Sequence, residues 1–233
     1  MYGDFLLKNS IEKQSKIKLL FEKQHYHILA LFILLVFIYI LSTLKGSLSG
    51  TFMGISTSSW FILSILSQII HQFYVWLFWR IQLYYNKFEE IGFKIYVIGF
   101  FILFIARFFT ILFLATSNSN SLVEFQLILW IIAIIITFPS IYTFYSVKHY
   151  FGALRASGAD HFDSSYWNKP MVKEGIFKYT NNGMYWFGLL VLWIPGLVFT
   201  SLAALEVALF THLYIWVHYF TVEKPDMNRI YKK

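Results

Sequence analysis

Cysteine is absent from these 233 residues, which excludes disulfides and thiolate metal sites and leaves the redox compartment unreadable. Charge is scarce. Only 13% of the residues are Asp, Glu, Lys or Arg, against roughly 25% in a soluble domain. What fills the chain instead is apolar: 58% is hydrophobic, including 26 Phe, 16 Tyr and 8 Trp. Long runs carry no charge at all, so an all-α integral membrane protein with interfacial aromatic belts is expected. A largely polar, Lys-rich stretch over 1–26 precedes the first apolar run, with no small-residue cleavage site close behind it; this argues against a cleaved signal peptide. No internal repeat or low-complexity segment stands out.

Six spans emerge when the apolar runs are measured against the roughly 17–25 residues a helix needs to cross the hydrocarbon. They lie near 27–44, 60–84, 95–116, 122–146, 184–200 and 201–222. The last two form one apolar stretch broken only by Pro195 and Gly196, so their turn is expected between 195 and 201. Three regions follow: a basic segment over 1–26, a four-helix membrane region over 27–146, and a segment over 147–233 that ends in a helical hairpin.

The basic residues test the map independently. With the N-terminus inside, five Lys fall before the first span (Lys8, Lys13, Lys16, Lys18, Lys23). Three more basic residues fall in the second connection (Arg80, Lys87, Lys94). Five fall in 147–183 (Lys148, Arg155, Lys169, Lys173, Lys178) and four in the tail (Lys224, Arg229, Lys232, Lys233). Lys45 falls outside and Arg107 lies mid-span. Positive charge collects on the cytoplasmic side, so both chain ends are expected there. Leu6, Ile11, Ile17 and Leu20 among the N-terminal lysines suit an interfacial amphipathic helix or a solvated basic tail near anionic lipid.

This topology brings two polar clusters together. "GIFKYTNNGMYWFG" opens the final hairpin, and "HYFTVEKPDMNRIY" closes it. Asn182 and Glu223 therefore share one cytoplasmic rim. Backbone N–H groups around Gly183 to Tyr185, at a helix start, suit an anionic group, and Gly183 permits close backbone approach. His212, Trp216, Tyr219 and Glu223 fall on one helical stripe. Aromatic faces ending in a carboxylate suit a positively charged ligand. An interfacial aromatic belt with ordinary end charges has the same periodicity.

"NNGMYW", the hairpin and "VEKPDMNRIY" resemble the C-terminal signature of membrane phospholipid N-methyltransferases, of the same superfamily as isoprenylcysteine carboxyl methyltransferases. "GADHF", "KPMVKEGIFKYTNN" and "LYIWVHYFTVEKPDM" resemble the larger, fungal-type phosphatidylethanolamine methyltransferases. The resemblance covers about 148–231. It implies S-adenosylmethionine as cofactor at the cytoplasmic end of the hairpin, and a phospholipid acceptor entering from the bilayer. Asn182 stands where the superfamily has His or Asn, and Gly183 where it often has Pro. Tyr185 keeps the family tyrosine. Glu223 keeps the first glutamate of a paired acidic motif, whereas Lys224 replaces the second.

The chemistry implied needs a neutral amine, because a lipid ethanolamine is mostly protonated at neutral pH; desolvation and a nearby base generate it. Asp160 and His161 in "GADHFD", and His149, are candidate bases; a loop turn with Asp as a cap is the structural alternative. A metal on Asp160, His161 and Asp163 lacks a further ligand set with supporting spacing. Tyr185, Trp186, Tyr219 and Trp216 are candidates for holding the sulfonium and the methylated amine. Arg155, Lys169 and Lys178 are candidates for the lipid phosphate or the cofactor carboxylate. Within the spans, an Arg107–Glu206 pair is a guess at two expensive charges, and His71 and Gln68 read as inter-helix hydrogen-bonding groups. His212 and His218 do not share a face.

Other readings keep the fold and change the chemistry: a prenylcysteine-like or other lipid-soluble acceptor, or a sterol reductase using a nicotinamide. A small transporter or membrane scaffold, with Arg107, Glu206 and His71 lining a pathway, is the non-enzymatic alternative. No nucleic-acid partner is implied, and a homodimer stays open. The Ile-, Phe-, Lys- and Asn-rich composition leans towards a bacterial inner membrane over a eukaryotic endomembrane.

Overall fold

The computed structural model describes residues 15–44, 46–88, 90–167 and 169–231. Lys45, Leu6, Ile11 and the terminal lysines Lys8, Lys13, Lys232 and Lys233 lie outside the described residues. Six helices of eight residues or more organise it: α1 (Gln24–Ser42), α2 (Thr57–Tyr85), α3 (Glu90–Ser117), α4 (Gln126–Ser146), α5 (Leu202–His218) and α6 (Lys224–Tyr231). Their ends follow from local chemistry. Ser56 accepts from the Ser59 N–H at the start of α2, and Ser201 does the same for Ala204 at the start of α5. Asn86 closes α2 in the left-handed conformation at φ 47°. Between α1 and α2 a two-stranded hairpin, β1 (Thr51–Phe52) and β2 (Ile55–Ser56), turns at Met53 and Gly54 with φ 53° and 75°, the paired positive values of a tight hairpin turn.

The fifth passage is not the single helix expected over 184–200. It is three short pieces, Gly183–Trp186, the 3-10 segment Gly188–Leu192, and Ile194–Val198. Gly188, Pro195 and Gly196 interrupt regular winding, and the tighter 3-10 stretch advances about 2.0 Å per residue instead of about 1.5 Å. A short run thereby covers more depth. Irregular backbone at membrane depth needs protein partners. α4 supplies them: Ser140 Oγ donates to the Gly188 carbonyl at 3.4 Å, and Trp130 Nε1 to that of Val198 at 3.0 Å. The turn into α5 comes at Phe199–Ser201, with Thr200 at φ 51°, inside the expected window.

α5 is the central helix. It packs against α1, α2, α3 and the broken passage, and Ala203, Val207, Phe210 and Tyr214 along it are buried. The outer helices turn bare apolar flanks outward; Phe32, Ile102, Ile134 and Phe138 are each more than 60% exposed, as lipid-facing residues of a bundle are. At the far end, Asn118 ties the hairpin loop to α5: its Nδ2 donates to Gly46 and Ser49, and its Oδ1 accepts from Ser201 and Ala203. At the near end, α5 runs through a π-helical turn, Tyr219–Glu223, into α6. There Arg80 of α2 pairs with Asp226 of α6 at 3.2 Å and donates to the carbonyls of Leu20, Glu22 and Thr221. Arg229 pairs with Glu22 at 2.5 Å. The chain before α1 is thus fastened to the bundle over Leu20–Glu22, not a free basic tail there.

Candidate active site

The near end encloses a cavity of about 280 Å³, at the lower edge of the usual ligand-pocket range. Three parts of the chain converge on it. Asn181, Asn182 and Tyr185 come from the entry to the broken passage; Tyr219 and Glu223 come from the π turn; Arg155 and Asp160 come from the connecting loop. Trp79 of α2 and Met227 of α6 complete the wall.

Tyr185 donates its hydroxyl hydrogen bond to Glu223 Oε2, 38 residues away in sequence. The Tyr185 and Tyr219 rings lie 6.0 Å apart at 71°, and Trp216 stands edge-on to both at 5.9 and 5.6 Å. One carboxylate inside an aromatic corner is an arrangement that attracts a cation. Trp216 and Trp186 do not line the cavity. Their rings pack together at 4.9 Å behind Tyr185, with Trp186 half exposed. His212 leaves the stripe altogether to accept from Trp193 Nε1 at 3.3 Å.

The loop residues separate by role. Asp160 borders the cavity, but its carboxylate is held by Arg155 at 3.4 Å and by the Tyr231 hydroxyl. Arg155 in turn donates to Tyr231 at 3.0 Å and lies over the Phe151 ring at 5.2 Å. This geometry suits a fixed cation at the cavity edge better than an Asp160 that takes up a substrate proton. His161 is buried and touches neither cavity; it stacks on Trp79 at 4.1 Å. Burial, and then the charge of Arg80, push its pKa down to about 3, so its position makes it a neutral packing group. Asp163 caps the turn Ser164–Tyr166 by accepting from the Ser165 N–H at 2.8 Å. The bland reading of that aspartate as a cap is the observed one.

Other expectations change as well. Lys178 is exposed and off the cavity wall, and Lys169 lies over the Tyr166 ring at 3.9 Å. His149 stacks on Tyr145 at 4.0 Å, away from the site. Gly183 opens a helix of only four residues, too short for an anion-binding terminus, and the Tyr185 N–H already donates to Asn182. A Cβ at Gly183 would lie 2.8 Å from Ile176 Cγ2, so close packing on Ile176 accounts for the glycine. Arg107 and Glu206 do not meet: Arg107 donates to Gln68 and lies 3.0 Å from His71 Nδ1, whereas Glu206 accepts from Ser47 at 2.6 Å.

A second, smaller cavity of about 80 Å³ adjoins the first through Trp79, Ala156, Met184 and Tyr185. His71, Arg107 and His218 face it. Arg107 and His71, polar groups within the spans, were the sequence signals for this chamber.

Fold and site together define an integral membrane helical protein with an aromatic-walled cavity, holding Glu223 and bordered by Asp160 and Arg155, at one end of its bundle. Residues 125–233 match the family model described as phospholipid methyltransferase, so this segment is similar to that family. Every wall residue of the larger cavity except Trp79 lies inside the matched segment. No curated protein and no solved structure matches the chain.

Proposed function

We propose that the protein is an S-adenosylmethionine-dependent N-methyltransferase acting on phosphatidylethanolamine or a related amino-lipid. The observation that carries this reading is the Tyr185–Glu223 pair, set in an aromatic corner and drawn from both ends of the family-matched hairpin. The wall fits such a cofactor. Glu223 and the faces of Tyr185 and Tyr219 suit its positive end, Asn181 and Asn182 supply amides, and Phe177, Met171 and Met227 offer apolar surface for a flat base. When bound, the cofactor supplies an electrophilic methyl group on a positively charged sulfur.

The chain's own residues then do three things. The Tyr185 hydroxyl holds one Glu223 oxygen, which fixes the carboxylate's orientation before any ligand arrives. The ring faces attract positive charge at both the donor and the methylated product. The bundle keeps water from the reacting amine, which disfavours its protonated form. We assign the near end to the cytoplasm, because Lys87, Lys94, Lys148, Lys173 and Lys178 all lie in segments at that end.

The test is methyl transfer from labelled S-adenosylmethionine into lipid extract by the purified protein. Label is expected in mono-, di- or trimethylated ethanolamine lipid, with the ladder giving the number of transfers up to phosphatidylcholine. Glu223→Gln should lose at least about 100-fold in rate, the cost of removing one preorganised electrostatic group. Unlabelled lipid with intact cofactor binding would move the acceptor to another class.

A further inference from the structure

The larger cavity leaves the smaller one without a task. At about 80 Å³ it exceeds severalfold the roughly 10–15 Å³ that one water requires. It lies where α2, α3 and α5 meet the broken passage, and Tyr185 stands between the two chambers. Its polar groups are unusual for membrane depth. Arg107, His71 and His218 are exposed by only 4%, 2% and 1%. Arg107 donates to Gln68 and His71 and has no carboxylate partner among the described residues. His71 Nε2 and both ring nitrogens of His218 are likewise buried without partners.

Buried polar atoms are nearly always bonded, and an uncompensated buried cation is costly. Water alone could satisfy the imidazoles, but it would leave the guanidinium charge unbalanced. Arg107 has no lone pair to give, so His71 Nδ1 must accept from it. That tautomer puts the His71 proton on Nε2, a buried donor without a partner on a ring that lines the cavity. The chamber therefore offers a cation, a neutral donor and a free proton acceptor, and no anion of its own. A phosphodiester joined to an ammonium is the complement.

We propose that this inner cavity is the head-group subsite of the lipid acceptor, with Arg107 and His71 holding the phosphodiester and His218 receiving the ammonium proton. The proposal rests on the methyl-transfer reading and adds the acceptor's side of it. In the proton step one N–H bond of the ammonium breaks, and its electron pair remains on nitrogen. The proton bonds to an imidazole nitrogen of His218, so the positive charge passes from ligand to histidine. The amine is left neutral, with a lone pair, beside Tyr185. The titratable and charged groups around His218 are His27 from α1, His71 and Arg80 from α2, Arg107 from α3, His161 from the loop, and Glu223 further along its own element. On the side towards α4, the cavity wall is Phe104, whose ring meets that of Phe144 at 6.5 Å. His71 and Arg107 lie outside the segment matched by the family model, whereas His218 lies inside it.

The test uses the full chain in lipid nanodiscs. Arg107→Gln should raise the KM for ethanolamine lipid at least about tenfold, as loss of a charge-assisted hydrogen bond does, with cofactor affinity held within about twofold. Arg107→Lys, which keeps the charge and loses the fork, should fall between. His218→Gln should lower kcat about 100-fold at neutral pH and recover towards about pH 9 as the amine sheds its own proton. A packing role for His218 would give a loss that pH does not repair, and that result, or an unchanged lipid KM in Arg107→Gln, overturns the proposal. Thermal shift separates it from the underlying reading. If the wild type methylates no lipid but is stabilised by glycerophosphoethanolamine, and Arg107→Gln is not, the subsite stands and methyl transfer falls. No stabilisation in an inactive wild type sinks both. Equal stabilisation by inorganic phosphate reduces the site to a plain anion hole and removes His218 from it.

Discussion

At the residue scale, His161 shows how position overrides chemical type. An imidazole beside two carboxylates in "GADHFD" reads as a proton carrier, yet the fold stacks it on Trp79 and seals it from solvent. Its consequence is for stability. The unfolded chain protonates this residue near 6.5, whereas the folded chain does so at about 3. Between those values the unfolded state holds the extra proton, so its contribution is complete above pH 6.5 and drains away as pH falls towards 3. Thermal melts in detergent should therefore show the wild type losing more Tm between pH 7 and pH 4.5 than His161→Gln does. Parallel slopes would mean that the folded imidazole is charged. Glu223 and Tyr185 were readable from the motif, because a carboxylate and a tyrosine at opposite ends of one hairpin must return to the same rim.

At the element scale, the π turn Tyr219–Glu223 matters most. The stripe of His212, Trp216, Tyr219 and Glu223 assumes regular α-helical winding throughout. The wider turn begins beyond His212 and Trp216 and changes only where Glu223 falls relative to them; Tyr219 and Glu223 line the cavity, while Trp216 stands behind them and His212 faces Trp193. Such single-turn insertions recur at functional sites. Deleting Phe220, half exposed within the turn, would restore α-helical winding and swing Glu223 by about 100°. Calorimetric titration should show cofactor binding lost, while circular dichroism keeps its helical spectrum. A deletion variant that binds as tightly as the parent would show the extra residue to be dispensable. Neither this turn nor the 3-10 stretch over Gly188–Leu192 was legible, because both depend on what neighbouring helices supply to unbonded backbone.

At the scale of the whole molecule, a cysteine-free chain allows its orientation to be read directly. Cysteines placed singly at Ser119, at the exposed far end, and at Lys173, in the exposed near-end loop, can be labelled with an impermeant maleimide on intact cells. Ser119→Cys should react at once, and Lys173→Cys only after permeabilisation. The reverse pattern would invert the assignment and put the larger cavity on the outer side.

By itself the sequence determined the class of the protein and the order of its passages. Apolar run length and the distribution of lysine and arginine are local properties, and no tertiary contact can change them. It also determined which two clusters share a rim, since a hairpin returns to the side it left. The tertiary structure alone decided which rim residues face inward. It paired Arg80 with Asp226 and locked Asp160 to Arg155. It also parted Arg107 from Glu206, because hydrogen-bond partners are set by which helices come to lie side by side. The small chamber behind Tyr185 belongs wholly to that level: His71, Arg107 and His218 come from three helices, and only their packing makes them one site.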